Sequence, residues 1–539
     1  MIDFDAIAAV LSASPKASGV TYAYGTAGFR MKNDAQQLDC AIVRAALLAC
    51  VHSSVTHGGR PVGLMITASH NTEPDNGVKM CEPDGEMLVA AWELHAVRLA
   101  NCADTDSALA LLKQLLGTAA PRPPSVFVAR DTRHTSAHLS ELVVRAVRAF
   151  HAQAELVDCG VQTTPQLHHY VRCKSANEPH GESDYYQLMA ASFASVVGAT
   201  VPEQPLQIAV DCAFGVGSIQ LRKLAALVSP QLLVLTAFNE AGGGALNVGC
   251  GAEHVQKALQ LPCNVAPGAP GCFASLDGDA DRIVFFGAQR GSLLLCDGDK
   301  IACLIAAFVR EQLRLLPESL KARVGVVQTA YANGSAARFV RDVLGVELAV
   351  VKTGVKYLHH QAQAYDVGVY FEANGHGTVL FAAPFLERVR ALPDSAPRTA
   401  LLAASRLANQ AVGDALGDLL LVAALLLRTT PRGADPIEHW AALYAELPSR
   451  QGKVSVQNRA VIRTTDDETR TTAPAGLQEL IDATCESFGE HARAFVRPSG
   501  TEDIVRTYAE ASTRELSDAL EREVARIVFD TAGGVGQRR

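Results

Sequence analysis

Paired cysteines, long hydrophobic runs and concentrated positive charge are all missing from this 539-residue chain. Its thirteen cysteines run from Cys40 to Cys485 with an odd total and no Cys-x-x-Cys spacing, which argues against a disulfide framework or a zinc site. They are expected to be reduced and mostly buried. The longest purely aliphatic stretch, Leu419 to Leu427, is far shorter than the ~20 residues of a membrane helix and reads as a buried helix. Around Asp3 and Asp5 there is no basic flank or cleavable apolar segment, and around Arg538 and Arg539 no lipidation signal, so a cytoplasmic location is expected. A formal charge of −8 without a long basic run speaks against nucleic acid or an anionic membrane as partner, and nothing points to an obligate protein partner.

What is present suits extensive cores: 48% of residues are apolar and 19% charged. At ~150 residues per domain, the length predicts three or four domains. Short apolar strands alternate with helical patterns, the signature of α/β layers with mainly parallel pairing. Strands are expected at Val62 to Ile66, Val126 to Ala129, Leu206 to Val210, Cys272 to Leu276, Val324 to Val327 and Val367 to Phe371. Helices are expected at Thr135 to Phe150, Lys300 to Leu316 and Asp414 to Leu427. Polar breaks near Glu178 to Ser183, Leu294 to Asp299 and Thr429 to Pro436 predict domains over 1–180, 181–296, 297–435 and 436–539. The last is expected to be an α+β lobe, with strands around Arg493 to Val496 and Ile504 to Ala509 before a helix over Thr513 to Phe529.

Four strings carry chemistry. TASHN sets Ser69, His70 and Asn71 just after a strand, where α/β proteins place reactive groups, and makes Ser69 a candidate nucleophile. Alone, a serine in a polar turn is commonly a turn former, and the absence of a G-x-S-x-G elbow leaves no basis for an acyl-transfer hydrolase. DGDADR puts Asp277, Asp279 and Asp281 at alternate positions, where they repel one another unless a hard cation gathers them. A calcium EF-hand loop fails, because its sixth and twelfth positions would be Arg282 and Ala288; Mg²⁺ fits better. RPSGTED with Arg506 offers an anion cradle: Arg497 and Arg506 supply charge, Ser499 and Thr501 hydroxyls, and Gly500 an approachable backbone after Pro498. EANGHG supplies Glu372, Ala373, Asn374 and His376 on a glycine-hinged loop suited to sugar hydroxyls and an amide substituent.

One such string per expected domain, in this order, resembles the α-D-phosphohexomutase superfamily over essentially the whole chain. Further strings carry the likeness: YGTAGFR (Tyr24 to Arg30), DNGVK (Asp75 to Lys79), TTPQLH (Thr163 to His168), DGDKIA (Asp297 to Ala302), VVQTAYANGS (Val326 to Ser335), KTGVK (Lys352 to Lys356) and VGDA (Val412 to Ala415). The EANGH loop resembles the acetylhexosamine branch and not the glucose or mannose phosphomutases. Departures are Thr72 and His134, where relatives carry proline, and Phe214, where they carry asparagine.

The resemblance implies four domains around a central cleft, three of them α/β with mixed sheets and one a C-terminal α+β lobe. It implies reversible exchange of N-acetylglucosamine 6-phosphate and 1-phosphate through an enzyme-bound 1,6-bisphosphate, supplying UDP-N-acetylglucosamine synthesis. Ser69 would carry the phosphoryl group, and Mg²⁺ would be held by Asp277, Asp279, Asp281 and a phosphoserine oxygen. Arg30 and Arg282 would add positive field, and Lys79 or His70 would move the proton, in an order left open. Glu372, Ala373, Asn374 and His376 would grip the sugar, while Arg497, Pro498, Ser499, Gly500, Thr501 and Arg506 hold the second phosphate. A non-catalytic sugar-phosphate sensor on the same fold is the alternative of a different kind.

Overall fold

A computed structural model describes residues 2–25, 28–32, 35–117, 121–288, 293–500 and 502–538. The chain divides into two compact units. The first comprises Met1–Asp297, His376–Thr378 and Asp394–Ile437; the second comprises Gly298–Gly375, Val379–Pro393 and Glu438–Arg539.

The first unit carries two mixed sheets. The six-stranded sheet is ordered Tyr24–Gly25, Gly28–Met31, Asn76–Cys81, Pro61–Ile66, Ser125–Arg130 and Glu155–Val161. Its last three strands are parallel, the first two as their apolar runs predict and Glu155–Val161 as a strand not expected from sequence, and the strand Asn76–Cys81 is an antiparallel insertion beside Pro61–Ile66. The insertion escapes sequence reading because Asn76, Gly77 and Lys79 break its apolar run. The five-stranded sheet is ordered Leu294–Cys296, Ile283–Gly287, Cys272–Leu276, Leu206–Asp211 and Leu233–Phe238, parallel across its last three strands. In both sheets a fully buried strand, Pro61–Ile66 or Cys272–Leu276, runs into a polar turn, and those two turns carry Ser69 and the three aspartates.

The helix Asp39–Val51 runs through the core of the six-stranded layer and continues as a π-turn, His52–Thr56. Together they are long and apolar enough to cross a membrane, but 83% of that segment is buried inside the unit, so it is a core helix. A search for purely aliphatic runs passes over it because Cys40, Arg44, Cys50 and the polar residues from His52 interrupt the run. All thirteen cysteines are free, and most are buried.

Three helices, Glu182–Val197, Ala396–Leu407 and Ala415–Thr429, pack together in the first unit. The last is buried on all sides through Leu426, its one charged residue there being Asp418. Its N-cap Asp414 accepts from the Gly417 N–H at 3.2 Å and, through both carboxylate oxygens, from the Tyr185 hydroxyl at 3.0 Å. Burial raises the Asp414 carboxyl despite these donors.

A four-stranded sheet is ordered Glu347–Val351, Val324–Thr329, Val367–Phe371 and Gly377–Phe381, the first three parallel; all of it lies in the second unit except Gly377 and Thr378. An antiparallel sheet of Ser449–Ser455, Ile504–Glu510 and Arg493–Pro498 follows, covered by the helices Leu477–Ser487 and Arg514–Thr531. The expected helices therefore form with small offsets: Thr135, Asp414 and Thr513 are caps, standing just before the first helical turn.

Tyr185→Phe removes a donor from two buried carboxylate oxygens without changing shape. It is expected to cost ~1–3 kcal/mol, read as a lower urea midpoint at unchanged slope.

Candidate active site

The strand Pro61–Ile66 ends in Thr67, whose hydroxyl accepts the Ser69 N–H at 2.9 Å. This bond closes a tight turn and sets Ser69 at φ +51°, in the left-handed region that costs an L-residue roughly 1–2 kcal/mol. The cost is met by contacts on the turn's own carbonyls. Asn247 Nδ2 donates to the Ser69 and Asn71 carbonyls at 3.0 and 2.8 Å, and Arg133 Nη2 donates to the same pair at 3.2 and 2.5 Å. Arg133 is itself fixed by its ion pair with Asp131 and by donating Nε–H to the Asp75 carbonyl at 2.7 Å. Arg30 donates to Asn71 Oδ1 at 2.7 Å, and Asn71 to Asp75 at 2.6 Å. Neither Asn247 nor Arg133 was singled out from sequence, because a side chain that grips a distant backbone leaves no periodic or spacing signal.

The aspartate loop meets this turn at van der Waals distance. A Cβ on Gly278 would lie 2.7 Å from the Ser69 carbonyl oxygen, and one on Gly215 would lie 2.5 Å from the Gly278 carbonyl oxygen, so both positions require glycine. The Ser69 hydroxyl donates to Asp277 Oδ2 at 2.8 Å and lies 3.5 Å from Asp281 Oδ1. Asp277 Oδ1 accepts the backbone N–H of Asp281 and Arg282 at 3.1 and 3.3 Å. Asp279 Oδ2 accepts from the Thr164 hydroxyl at 2.5 Å and from Lys79 at 3.2 Å, and Lys79 also lies 3.2 Å from Asp281. His376 Nδ1 sits 3.6 Å from Asp281 Oδ1, beside the aspartates, a contact that the sequence did not suggest.

Electrostatics divides the three carboxyls. All are buried, and one ligand oxygen from each lies within 4.8 Å of the others. Burial, with repulsion from Asp281 and Asp279, pushes the Asp277 carboxyl well up. Burial also acts to raise Asp281, but His376, Lys79 and Arg282 outweigh it and hold that carboxyl far below its ordinary range. Lys79 loses hydration, yet its two aspartate partners keep its ammonium charged and move it upward. His70, Nε2 3.1 Å from Glu253, is pressed down to about 2 by burial and by the Arg282 and Arg30 charges, so it is neutral. Asp279 Oδ1 is buried without a hydrogen-bond partner. An orphaned carboxylate oxygen among three convergent acids is a donor set matched to a small hard cation, and Mg²⁺ fits it.

The remaining predicted residues lie in the second unit. Gly298 N–H donates to the Ala373 carbonyl at 3.3 Å, and a Cβ at Gly298 would lie 1.9 Å from the Glu372 carbonyl oxygen; this presses the Glu372–Asn374 turn onto the start of the helix Gly298–Arg314. Asn374 Nδ2 donates to Glu372 Oε2 at 3.3 Å, which pairs the amide with the carboxylate. Arg497 lies directly opposite Arg506 across the antiparallel ladder, and Arg506 is opposite Lys453 on the next strand. Three cations in one cross-strand row repel, and such a row is stable when an anion lies over it. Lys453 is a member that sequence reading missed, since it stands far from the RPSG string. Arg497 also donates to the Tyr331 hydroxyl at 3.1 Å and pairs with Glu468 at 3.5 Å. The Ser499 N–H donates to the Ile504 carbonyl at 2.9 Å, closing the Pro498-to-Ile504 turn; space beside Gly500 is open. Thr501 lies outside the described residues.

The departures from the family pattern fall outside these contacts. His134 is exposed beside Glu73, and the Thr72 carbonyl accepts the Asp75 N–H. Phe214 stands at φ +57°, a conformation that asparagine tolerates better, with its ring packed over Gly244.

A strand-end serine poised on three buried aspartates, together with a paired carboxylate–amide turn and a cationic row, defines an α-D-phosphohexomutase. Three family models match: "Phosphoglucomutase/phosphomannomutase, alpha/beta/alpha domain I" over residues 31–97, "Phosphoacetylglucosamine mutase AMG1, domain III" over 297–430, and the "Phosphoglucomutase/phosphomannomutase, C-terminal domain" over 458–527. The phosphoacetylglucosamine mutase of Sus scrofa is 43% identical over 100% of this chain and 99% of its own, and that of Homo sapiens 42% over the same shares. A crystal structure of Aspergillus fumigatus N-acetylphosphoglucosamine mutase in complex with GlcNAc-6P and magnesium matches with TM-score 0.90 at 38% identity, covering 98% of this chain and 99% of that one. An N-acetylglucosamine-phosphate mutase in its substrate complex matches with TM-score 0.91 at 36% identity, covering 98% and 100%. The chain belongs to the phosphoacetylglucosamine mutase family.

Asp279→Asn takes one anion from the set and leaves Lys79 with Asp281 alone. It is expected to weaken Mg²⁺ binding at least tenfold, measured by calorimetry, with a parallel rise in the Mg²⁺ concentration needed for half-maximal activity. Unchanged Mg²⁺ binding would remove this loop from the metal site.

Proposed function

We propose that the chain interconverts N-acetylglucosamine 6-phosphate and N-acetylglucosamine 1-phosphate through a phosphoserine at Ser69 and a 1,6-bisphosphate. The observation that carries this reading is the Ser69 hydroxyl, fixed 2.8 Å from Asp277 on a turn whose carbonyls are held by Asn247 and Arg133. A nucleophile that must give up and regain a phosphoryl group in the same place needs this rigidity. Asp277, Asp279, Asp281 and a phosphoserine oxygen would hold Mg²⁺, which when bound would supply charge neutralisation for the transfer.

In the first half-reaction the Ser69 Oγ–P bond breaks as a bond forms from phosphorus to the free sugar hydroxyl, whose proton leaves. In the second, the other phosphate of the bisphosphate returns to Ser69 and its oxygen takes a proton up. Arg30 and Arg282 contribute positive field at the transferring group. Lys79 is the charged donor beside Asp279 and Asp281, and neutral His70 is a hydrogen-bonding neighbour of the phosphoryl group, not a source of charge. Glu372, Ala373 and Asn374 bind the sugar and its acetamido group. Arg497, Pro498, Ser499, Gly500, Thr501 and Arg506 hold the phosphate not being transferred, and the Arg497–Arg506–Lys453 row supports that role. His376, beside Asp281, tunes the aspartate loop as well as approaching the sugar. The four-domain division at 180, 296 and 435, a cytoplasmic location and a place in UDP-N-acetylglucosamine synthesis belong to the same proposal.

Intact mass of the purified protein tests the intermediate: one phosphate is expected on wild type and none on Ser69→Ala, whose turnover falls to background with an unchanged melting curve. Full activity in that variant would end the phosphoserine reading. Substrate class is tested by comparing N-acetylglucosamine, glucose and mannose phosphates in one coupled assay, where the acetylated sugar is expected to have the highest kcat/KM.

Arg497→Ala removes the forked contact from the phosphate that stays behind, worth about 1.5–3 kcal/mol. Because that phosphate is the 6-phosphate in one half-reaction and the 1-phosphate in the other, KM is expected to rise roughly tenfold to a hundredfold for both substrates. Bisphosphate release should also increase in rapid-quench experiments. Normal KM values for both would remove Arg497 from the phosphate site.

A further inference from the structure

The first unit holds a second convergent donor set, built by a local change of helix period. His52 and His57 stand five residues apart where the helix Asp39–Val51 widens into the π-turn His52–Thr56, closed by the His57 N–H donating to the His52 carbonyl at 3.3 Å. In an α-helix, residues five apart differ by about 140° and face different directions. The wider turn returns His57 to the face of His52, and such bulges occur frequently at functional sites. The two imidazoles meet edge to face with centroids 4.4 Å apart.

Glu82 completes the set from the end of the strand Asn76–Cys81. Its Oε2 lies 2.8 Å from His52 Nε2 and 2.9 Å from His57 Nε2, and the two nitrogens are 3.1 Å apart. Glu82 is held independently: its Oε1 accepts the Val89 N–H at 3.0 Å, and its own N–H donates to the Glu86 carbonyl at 2.9 Å. Trp92 packs on the His52 ring with centroids 4.0 Å apart. The side chains of His52 and Glu82 are 1% and 6% exposed, whereas His57 is 21% exposed and leaves one side open to water.

Two ring nitrogens and one carboxylate oxygen, each within hydrogen-bond distance of the other two, cannot all be served by linear hydrogen bonds. They match one face of a tetrahedron, since bonds of ~2.0–2.2 Å to a zinc ion set its ligand atoms roughly 3.3 Å apart. The scattered cysteines gave no zinc spacing, and they play no part here.

We propose that His52, His57 and Glu82 form a binding site for a divalent transition metal, zinc by donor type, with water as the fourth ligand. Imidazole nitrogen selects Zn²⁺, Co²⁺ or Ni²⁺ over Mg²⁺, so this site and the aspartate loop sort metals by chemistry. The site stands at the far end of the sheet from Ser69: Cys81, beside Glu82, pairs with Gly63, while Val78 pairs with Ile66 next to the serine turn. A bound ion would therefore staple the core helix to the inserted strand without touching the reacting atoms.

The test uses full-length protein stripped by chelator and returned to saturating Mg²⁺, which fills the aspartate loop. Calorimetry with Zn²⁺ is expected to give one equivalent bound to wild type and a higher melting temperature. In His57→Ala and Glu82→Gln the affinity should fall at least tenfold and the thermal shift disappear, while mutase activity stays within about twofold. X-ray absorption on zinc-loaded wild type provides a readout that needs no variant, with a shell of two imidazole nitrogens and oxygens expected. No zinc uptake under Mg²⁺, wild-type affinity in both variants, or an all-oxygen shell would each overturn the proposal.

Discussion

Three carboxylates buried on one loop cannot all remain charged unless cations and donors are built around them, and much of the first unit answers that demand. Lys79 comes from the inserted antiparallel strand, Thr164 from the start of a helix, His376 from a distant stretch of chain and Arg282 from the loop itself. One carboxyl is still driven toward its protonated form and one oxygen is left without a donor. The protein thus holds an arrangement that is unfavourable alone and is relieved by a small cation. The same crowding positions the nucleophile, because Gly278 lets the aspartate loop come up against the Ser69 carbonyl.

The second unit applies a milder version of this logic with the signs reversed. Arg497, Arg506 and Lys453 face one another across neighbouring strands, held apart by ladder geometry and moderated by Tyr331 and Glu468 beside Arg497. Strand register, more than any single residue, makes the row. One unit thus stores excess negative charge and the other excess positive charge, each on backbone that cannot relax to separate it.

Much of this was legible in the residues. Buried strands such as Cys272–Leu276 announce themselves as short apolar runs, and loop chemistry that depends on adjacent residues, as in DGDADR or TASHN, survives as a string. What could not be read depends on three-dimensional closure. Asn247 and Arg133 act on carbonyls far away in sequence, Lys453 joins the cationic row only through strand pairing, and Asn76–Cys81 hides its strand character behind Asn76, Gly77 and Lys79. His52 and His57 fail every α-helical spacing rule because the helix changes period between them. His376 reads with Glu372 and Asn374 on one string, although its ring turns to the aspartates.

The first unit is not a continuous piece of chain: the helices Ala396–Leu407 and Ala415–Thr429 close over Glu182–Val197. On a ribosome, the helix Glu182–Val197 and the six-stranded sheet before it are complete long before their cover has been made. At about 5–20 residues per second, the apolar face of that helix stays uncovered for roughly ten seconds or more while the second unit's first sheet is synthesised. Nascent chains of this length are therefore exposed to chaperones and to one another at one defined surface, and a chain terminated before the late helices would keep that surface open permanently.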